Sequence, residues 1–390
     1  MLSYFVVMSK AKTLYICQSC DHEHTKWQGQ CLGCSEWNTL SEQLVSDKAV
    51  NDQRFSGFAG DKSQLQKLSD IDYQETSRFK TGIGEFDRVL GGGLVEGSAV
   101  LIGGHPGAGK STILLQVTCH IAHNEKVLYV SGEESLQQIA MRAKRLDLVA
   151  DNLDLLAETN IYKITQLAEK VKPKVLVIDS IQTAYHPEAL GAPGGVSQVR
   201  ESATYLTRFA KLSGVILLMV GHVTKEGVLA GPKVLEHCVD CSITLDTSAD
   251  SRFRMMRSLK NRFGSVNELG VFAMTETGLK EVKNPSAIFL SRHSKPTPGS
   301  CISVLWEGTR PMLIEVQALV DENQFGDPRR VTVGLDHQRL SMLTAILHRH
   351  GGVSLGGQDL FLNAVGGVKI DETGADLTMI LALLSSYGIN

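Results

Sequence analysis

Three groups of residues in this chain have the types and spacing that chemistry requires. Gly104-His105-Pro106-Gly107-Ala108-Gly109-Lys110-Ser111 fits G-x-x-x-x-G-K-[ST]. The glycines of such a loop let the backbone wrap a phosphate chain so that its N–H groups point at the anion. Lys110 then reaches the β/γ-phosphates, Ser111 binds Mg²⁺, and Thr112 continues into a helix whose positive end faces the anion. The second group is Cys17-x-x-Cys20 and Cys31-x-x-Cys34, two tight pairs in a polar segment. That spacing suits a tetrahedral zinc site made of two knuckles; two disulfides are the other use, and they fit a reducing compartment poorly. So small a module cannot bury a core, and zinc would supply most of its folding energy, on the order of 10 kcal/mol or more. His22 and His24 fall between the pairs but are not needed to fill the shell, so both are expected in solvent, with Trp27 and Trp37 packed beside the knuckles.

The third group is carboxylate. The apolar run Val175 to Ile178 delivers Asp179, which suits the Mg²⁺-linked acid behind a phosphate loop. Val127 to Val130 is followed by Ser131-Gly132-Glu133-Glu134. Glu133 is the candidate for orienting an attacking water; the alternative is a pair of acids that merely suits a helix N-terminus. Further on, Lys260-Asn261-Arg262-Phe263-Gly264 follows Arg252, Arg254 and Arg257. It reads either as a charged strand in solvent or as a place from which Lys260 or Arg262 reaches a neighbouring subunit's nucleotide. Glycine-bearing segments 186–198 and 225–233 are either ordinary surface loops or grips for a polymer. Between them, His222 to Lys225 forms a polar cluster placed to sense hydrolysis. Cys238-x-x-Cys241 has no partner pair, and like Cys119 and Cys301 it reads as small buried apolar side chains.

The elements that must position these groups are legible from periodicity. Apolar runs at 99–102, 127–130, 175–178 and 215–220 alternate with helical stretches such as 135–146 and 199–212, which predicts an α/β fold with a parallel sheet covered on both faces. Residues 46–70 are polar without a period and read as a linker. From 284 the texture changes to that of a separate α+β domain. The chain has 390 residues, a net charge of −3, 43% hydrophobic and 21% charged content. These values predict two or three domains and exclude a broadly basic nucleic-acid coat, so any nucleic-acid contact has to be local. No run is long and apolar enough for a membrane span, and the apolar start lacks a basic flank and cleavage site, so a cytoplasmic location is expected, with Met1 or Met8 as the initiator.

The Cys₄ knuckles, the phosphate loop, Ser-Gly-Glu-Glu-Ser, Val-Ile-Asp-Ser, Gly-His-Val-Thr-Lys-Glu-Gly and Lys-Asn-Arg-Phe-Gly occur here in one order. In that order they resemble the RadA (Sms) family of bacterial DNA repair and recombination ATPases, over essentially the whole chain. The resemblance implies a zinc finger (10–45), a linker (46–70), a RecA-like ATPase domain (71–283) and a Lon-protease-like domain (284–390). It implies a homo-hexameric ring that binds single-stranded and branched DNA, works beside a RecA-type recombinase, and uses ATP, Mg²⁺ and Zn²⁺ to drive branch migration as a helicase does. By the same resemblance Lys110 and Ser111 hold nucleotide and metal, Glu133 activates water, Asp179 supports the metal, segments near 191–198 and 225–233 contact DNA, and Lys260 with Arg262 acts in trans.

His105 departs from the acidic residue expected in the family's loop. In the terminal domain Gly374 falls where a Lon-type serine nucleophile would lie, and the chain stops before the matching lysine, so the domain is expected to be non-proteolytic and incomplete. An ATP-dependent protease, a nucleotide-switched DNA clamp and a RecA-like phosphotransferase are the competing readings.

Overall fold

A computed structural model describes residues 12–20, 22–45, 77–222, 235–247, 252–291, 295, 297–324 and 326–388. The linker read at 46–70 and the loop at 225–233 lie outside the described residues. The chain forms two compact units, Met1–Leu245 with Leu259–Gly264, and Asp246–Ser258 with Ser265–Asn390.

The first unit opens with a small antiparallel ribbon in which β1 (Lys12–Cys17) pairs with β2 (Glu23–His24) and β3 (Leu40–Val45). A short ladder of β4 (Arg78–Phe79) and β5 (Leu94–Val95) flanks α1 (Gly84–Val89). Strands and helices then alternate: β6 (Ala99–Gly103), α2 (Lys110–Ala122), β7 (Val127–Ser131), α3 (Leu136–Arg145), β8 (Leu153–Ala157), α4 (Ile161–Val171), β9 (Val175–Asp179), α5 (Val196–Ser213), β10 (Ile216–Val220) and β11 (Cys241–Thr247). They pair in parallel in the order β11-β6-β10-β9-β7-β8.

Every residue of β6, β7, β9 and β10 is buried, because helices cover both faces; a strand wet on one face would alternate instead. The four predicted strands are therefore borne out. Strand β8, at the sheet edge, is only partly buried, and its mixed Leu-Asp-Leu-Leu-Ala carries too weak a signal to be read from sequence. Local chemistry sets the helix ends. Ser135 and Gln138 form a reciprocal capping box at α3, Asn160 caps α4, and Gly214 closes α5 in the left-handed conformation. The core packs Leu101, Val130, Ile178 and Met219 against Ile164, Ala203 and Leu206, each large side chain contributing about 1.5–3 kcal/mol. The C-terminal ends of these parallel strands consequently gather at one edge, where an open parallel sheet binds its ligands.

The second unit is antiparallel in character. It includes β12 (Phe253–Asn261), whose last residues belong to the first unit, β13 (Leu269–Thr275) and β14 (Gly278–Glu281). A four-stranded sheet follows, ordered β15 (Ser300–Glu307), β16 (Arg310–Glu322), β18 (Gln358–Ala364), β17 (Arg330–Val333), with only β17 and β18 parallel. Its core joins Leu305, Ile314 and Leu360 to α6 (His337–Gly351) through Leu343 and to α7 (Asp376–Tyr387) through Met379 and Leu383. Gly374 sits in a single 3₁₀ turn ahead of α7. Among the described residues no helix is long and apolar enough to cross a membrane.

Candidate active site and metal centre

The phosphate loop leaves β6 and enters α2 through three glycines with positive φ: Gly104 (+148°), Gly107 (+79°) and Gly109 (+104°). At Gly104 a side chain would run into the Leu245 carbonyl, whereas Gly107 faces open space. Helix α2 has no side-chain N-cap and no acid in its first turn, so its leading N–H groups remain suited to an anion. Lys110 is 4% exposed, and its ammonium donates to the carbonyls of Gly104 (2.8 Å) and His105 (3.0 Å). Burial pulls its pKa below the ordinary lysine value, while Asp179 and Glu133 act in the opposite sense.

Asp179, at the end of β9, is also buried. Burial raises its pKa first; hydrogen bonds from Tyr129 and Ser111 resist, and the nearby charges of Glu133 and Glu134 add to the rise. The Tyr129 hydroxyl donates to Asp179 Oδ2. Ser111 and Asp179 thus form a hydroxyl–carboxylate pair of the kind that holds Mg²⁺ beside a phosphate loop.

The two acids after β7 part company. Glu134 takes a bond from Arg142 of α3, and its backbone is fastened to the Ser131 hydroxyl at 2.8 and 3.0 Å. Glu133 instead turns toward the loop edge. The Ser180 hydroxyl donates to Glu133 Oε1, and His222 Nε2 lies 3.2 Å from the same oxygen. The His222 contact, then the Ser180 bond and the Lys110 charge, hold its pKa below the usual carboxylate value. The geometry brings Lys110, Ser111, Glu133 and Asp179 together.

It does not bring Lys260 and Arg262 there. Arg262 Nη1 donates to Asp240 Oδ1 at 3.1 Å, and Lys260 Nζ donates to the carbonyls of Glu236 and Val239 (2.8 Å to the latter). Asp240 in turn pairs with Ala99, the first residue of β6. The phosphate loop leaves the other end of that strand, four residue steps or about 13 Å away. The pair occupies the opposite edge of the sheet from its own loop and does not form a free charged face.

In the ribbon the sulfurs of Cys17, Cys20, Cys31 and Cys34 lie within 4.8 Å of one another. Cys17–Cys34 and Cys20–Cys31 are 3.6 and 3.5 Å apart, close to the edge of about 3.8 Å for a tetrahedron with Zn–S bonds near 2.3 Å. The donor set fits zinc. Burial and the neighbouring sulfurs push Cys20 up to about 12, while burial at Cys17 is outweighed by its hydrogen bonds with Thr39 and nearby backbone, which bring it to about 6.

His24 corrects the expectation of two solvated histidines. It is 6% exposed, its Nε2 is 3.5 Å from Cys31 Sγ, and Gln28 donates to its Nδ1 at 2.8 Å. That leaves Nε2–H to face the thiolate, an outer-shell contact that the four-cysteine count concealed. His22 is exposed. The tryptophans are also more open than expected, Trp27 at 61% and Trp37 at 69%, although the Trp37 ring does lie over Gly29. Of the remaining cysteines, Cys119 and Cys241 are buried, whereas Cys238 and Cys301 are half-buried.

Comparison with known proteins agrees with this geometry. Residues 63–228 match the AAA domain family, and residues 15–42 match the rubredoxin metal binding domain. The DNA repair protein RadA of Haemophilus influenzae is 59% identical over 97% of this chain and 84% of its own length. The RadA protein of Escherichia coli is also 59% identical over the same shares, and that of Bacillus subtilis is 47% identical over 97% and 83%. The chain belongs to the RadA family. It is an ATPase, with ATP and Mg²⁺ at the phosphate loop and Zn²⁺ in the ribbon.

Sequence reasoning missed several residues of this RadA-family site. Tyr129, in the middle of β7, and Ser180, just after β9, carry no sequence signal of their own. Gln198 carries no signal of its own inside a glycine-bearing segment. Its amide is 4% exposed, accepts from His186 N (2.9 Å) and donates to Ala189 O (2.7 Å), tying the 186–195 loop to the start of α5.

Proposed function

We propose that this protein is a DNA-repair motor that couples ATP hydrolysis to movement along single-stranded and branched DNA, driving branch migration as a homo-hexamer beside a RecA-type recombinase. The observation that carries the reading is the Glu133 contact set. A carboxylate kept ionised beside Lys110 also touches His222, at the end of the strand that leads into 223–234.

In this mechanism the loop amides and Lys110 bind the phosphates, exchanging the carbonyls of Gly104 and His105 for phosphate oxygens. Bound Mg²⁺ supplies neutralisation of the β- and γ-oxygens, and Ser111 with Asp179 would hold it. Glu133 orients water, with Ser180 and His222 fixing the carboxylate. Segments 186–198 and 225–233 grip DNA, so that occupancy there is felt at His222. Lys260 and Arg262, remote from their own loop, serve the neighbouring subunit. The domains divide as 10–45, 71–283 and 284–390 about a linker at 46–70. The last domain acts as a scaffold rather than a protease, since Gly374 offers no hydroxyl.

The test is ATP hydrolysis by the 390-residue chain with and without single-stranded DNA. Strong stimulation is expected, and its affinity should fall with salt at a log–log slope of about −0.7 per neutralised phosphate. Hydrolysis indifferent to DNA, or a flat salt response, would overturn the motor reading.

A further inference from the structure

Among the described residues, Asp240 is the least exposed charged group outside the phosphate-loop edge that gathers more than one cation. It is 2% exposed, and it sits where three parts of the first unit meet. Its Oδ2 accepts from Ala99 N at 3.1 Å, and its backbone N–H donates to Ala99 O at 2.9 Å, which fastens it to the base of β6. Its Oδ1 accepts from Lys211 Nζ of α5 at 2.9 Å and from Arg262 Nη1 at 3.1 Å. Its backbone carbonyl accepts from Arg262 N at 3.0 Å, so Arg262 is held at both main chain and side chain.

The two cations of the Lys-Asn-Arg-Phe-Gly segment are held differently. Lys260 spends two of its three N–H donors on the carbonyls of Glu236 and Val239. Arg262 engages Asp240 through Nη1, its side chain is 52% exposed, and a guanidinium has five N–H donors in a rigid fork. Lys260 is the anchor of the segment, and Arg262 is the member with donors to spare. A carboxylate gripping one corner of the fork fixes its direction without consuming it. Lys211 balances the remaining charge, so Asp240 need not draw Arg262 fully inward.

We propose that Asp240 is a positioning residue that aims Arg262, from the base of the phosphate-loop strand, at the nucleotide of an adjacent copy of this chain. This rests on the trans role given above to Lys260 and Arg262, and it separates their duties. It also ties the aiming group to β6, whose far end carries the subunit's own phosphate loop, so strand and arm move as one piece.

The test compares Asp240→Asn, Asp240→Glu and Arg262→Ala on the full chain, each alone and mixed with Lys110→Ala subunits. Asp240→Asn keeps an oxygen for Ala99 N but loses the charge that holds Arg262. It should bind a fluorescent ATP analogue as the unmodified chain does, yet hydrolyse about 10²-fold more slowly, the scale set by small misplacement of a reacting group. Mixing should restore part of the rate, because Lys110→Ala subunits present intact arms to intact loops. Asp240→Glu, which retains the charge, should lose less than Asp240→Asn. If Arg262→Ala is slow and rescued by mixing while Asp240→Asn hydrolyses normally or is not rescued, the positioning role fails and the trans reading stands. If Arg262→Ala itself hydrolyses normally, the trans reading fails and takes this inference with it. Equal losses in Asp240→Asn and Asp240→Glu, with weakened nucleotide binding, would show a packing role only.

Discussion

The phosphate-loop edge of the first unit and the sheet of the second unit treat buried charge in opposite ways. At the loop, Lys110 and Asp179 are buried with their charged forms disfavoured, the lysine pKa pulled down and the aspartate pushed up, each chiefly by burial. Two buried acids of the second unit's four-stranded sheet, Asp359 and Glu315, are stabilised as carboxylates. Asp359 accepts from Arg329 N (2.8 Å), Arg329 Nε (2.9 Å) and Asn323 (3.1 Å), and the Arg329 bonds hold its pKa low. Glu315 is 3% exposed, and donors from Ser300, Ser291 and Gln317 outweigh its burial and lower its pKa too. At these four groups, under-compensated charge lies where an ionic ligand is expected, and compensated charge lies within a sheet. Four substitutions probe that contrast.

The largest effect is expected at Lys110. Lys110→Ala removes the cation that meets the phosphates, and hydrolysis should fall by roughly 10³-fold or more, since a single lost electrostatic donor already costs about 10²–10³. The melting curve should barely change, because the ammonium is held only by two loop carbonyls. Phosphate release and a thermal melt on one preparation decide it. Normal turnover would remove Lys110 from the site.

Asp179→Asn and Asp359→Asn should then split activity from stability. Burial raises the folded pKa of Asp179, so its ionisation opposes folding as pH rises through the unfolded value near 3.9. Asp179→Asn should leave stability at pH 7 unchanged or higher, cut hydrolysis by about 10²-fold, and raise the Mg²⁺ concentration for half-maximal rate. Asp359→Asn should do the reverse, melting earlier with hydrolysis per folded molecule unaltered. If both variants lose stability, the contrast between the regions is wrong.

Legibility in the sequence followed the same division. The phosphate loop and the four cysteines are readable because each chemistry demands fixed types at fixed spacing along one short segment, and Asp179 is readable as the acid that ends an apolar strand behind that loop. The parallel strands were readable because burial on both faces writes an unbroken apolar run. Residues acting through tertiary contact left no such trace. Tyr129 and Ser180 meet their partners 50 and 47 positions away, and Asp240 reaches back 141 positions to Ala99. His24 leaves no trace because four thiolates already complete a zinc shell, although a crowded thiolate set still draws an N–H donor. Chain spacing likewise could not tell that Lys260 and Arg262 lie at the far edge of the sheet from their own loop; only the pairing of Asp240 with Ala99 places them there.

Glu315 gives the smallest effect and the most specific sign. Its oxygens accept from Ser300 Oγ at 2.7 Å, Ser291 N at 2.5 Å and Gln317 Nε2 at 3.0 Å. Glu315→Gln keeps the volume but places an NH₂ where one of those donors points, which should cost about 1–3 kcal/mol. Because the folded pKa is depressed, the carboxylate's contribution is complete above its unfolded value near 4.3 and is lost as pH falls through the folded one. The gap between the unmodified chain and Glu315→Gln should therefore stay constant from pH 8 down to about 5, then close in acid. Denaturant melts across that range provide the measurement. A gap that widens in acid would mean that Glu315 is held protonated, and the second unit would then carry the same kind of tension as the phosphate loop.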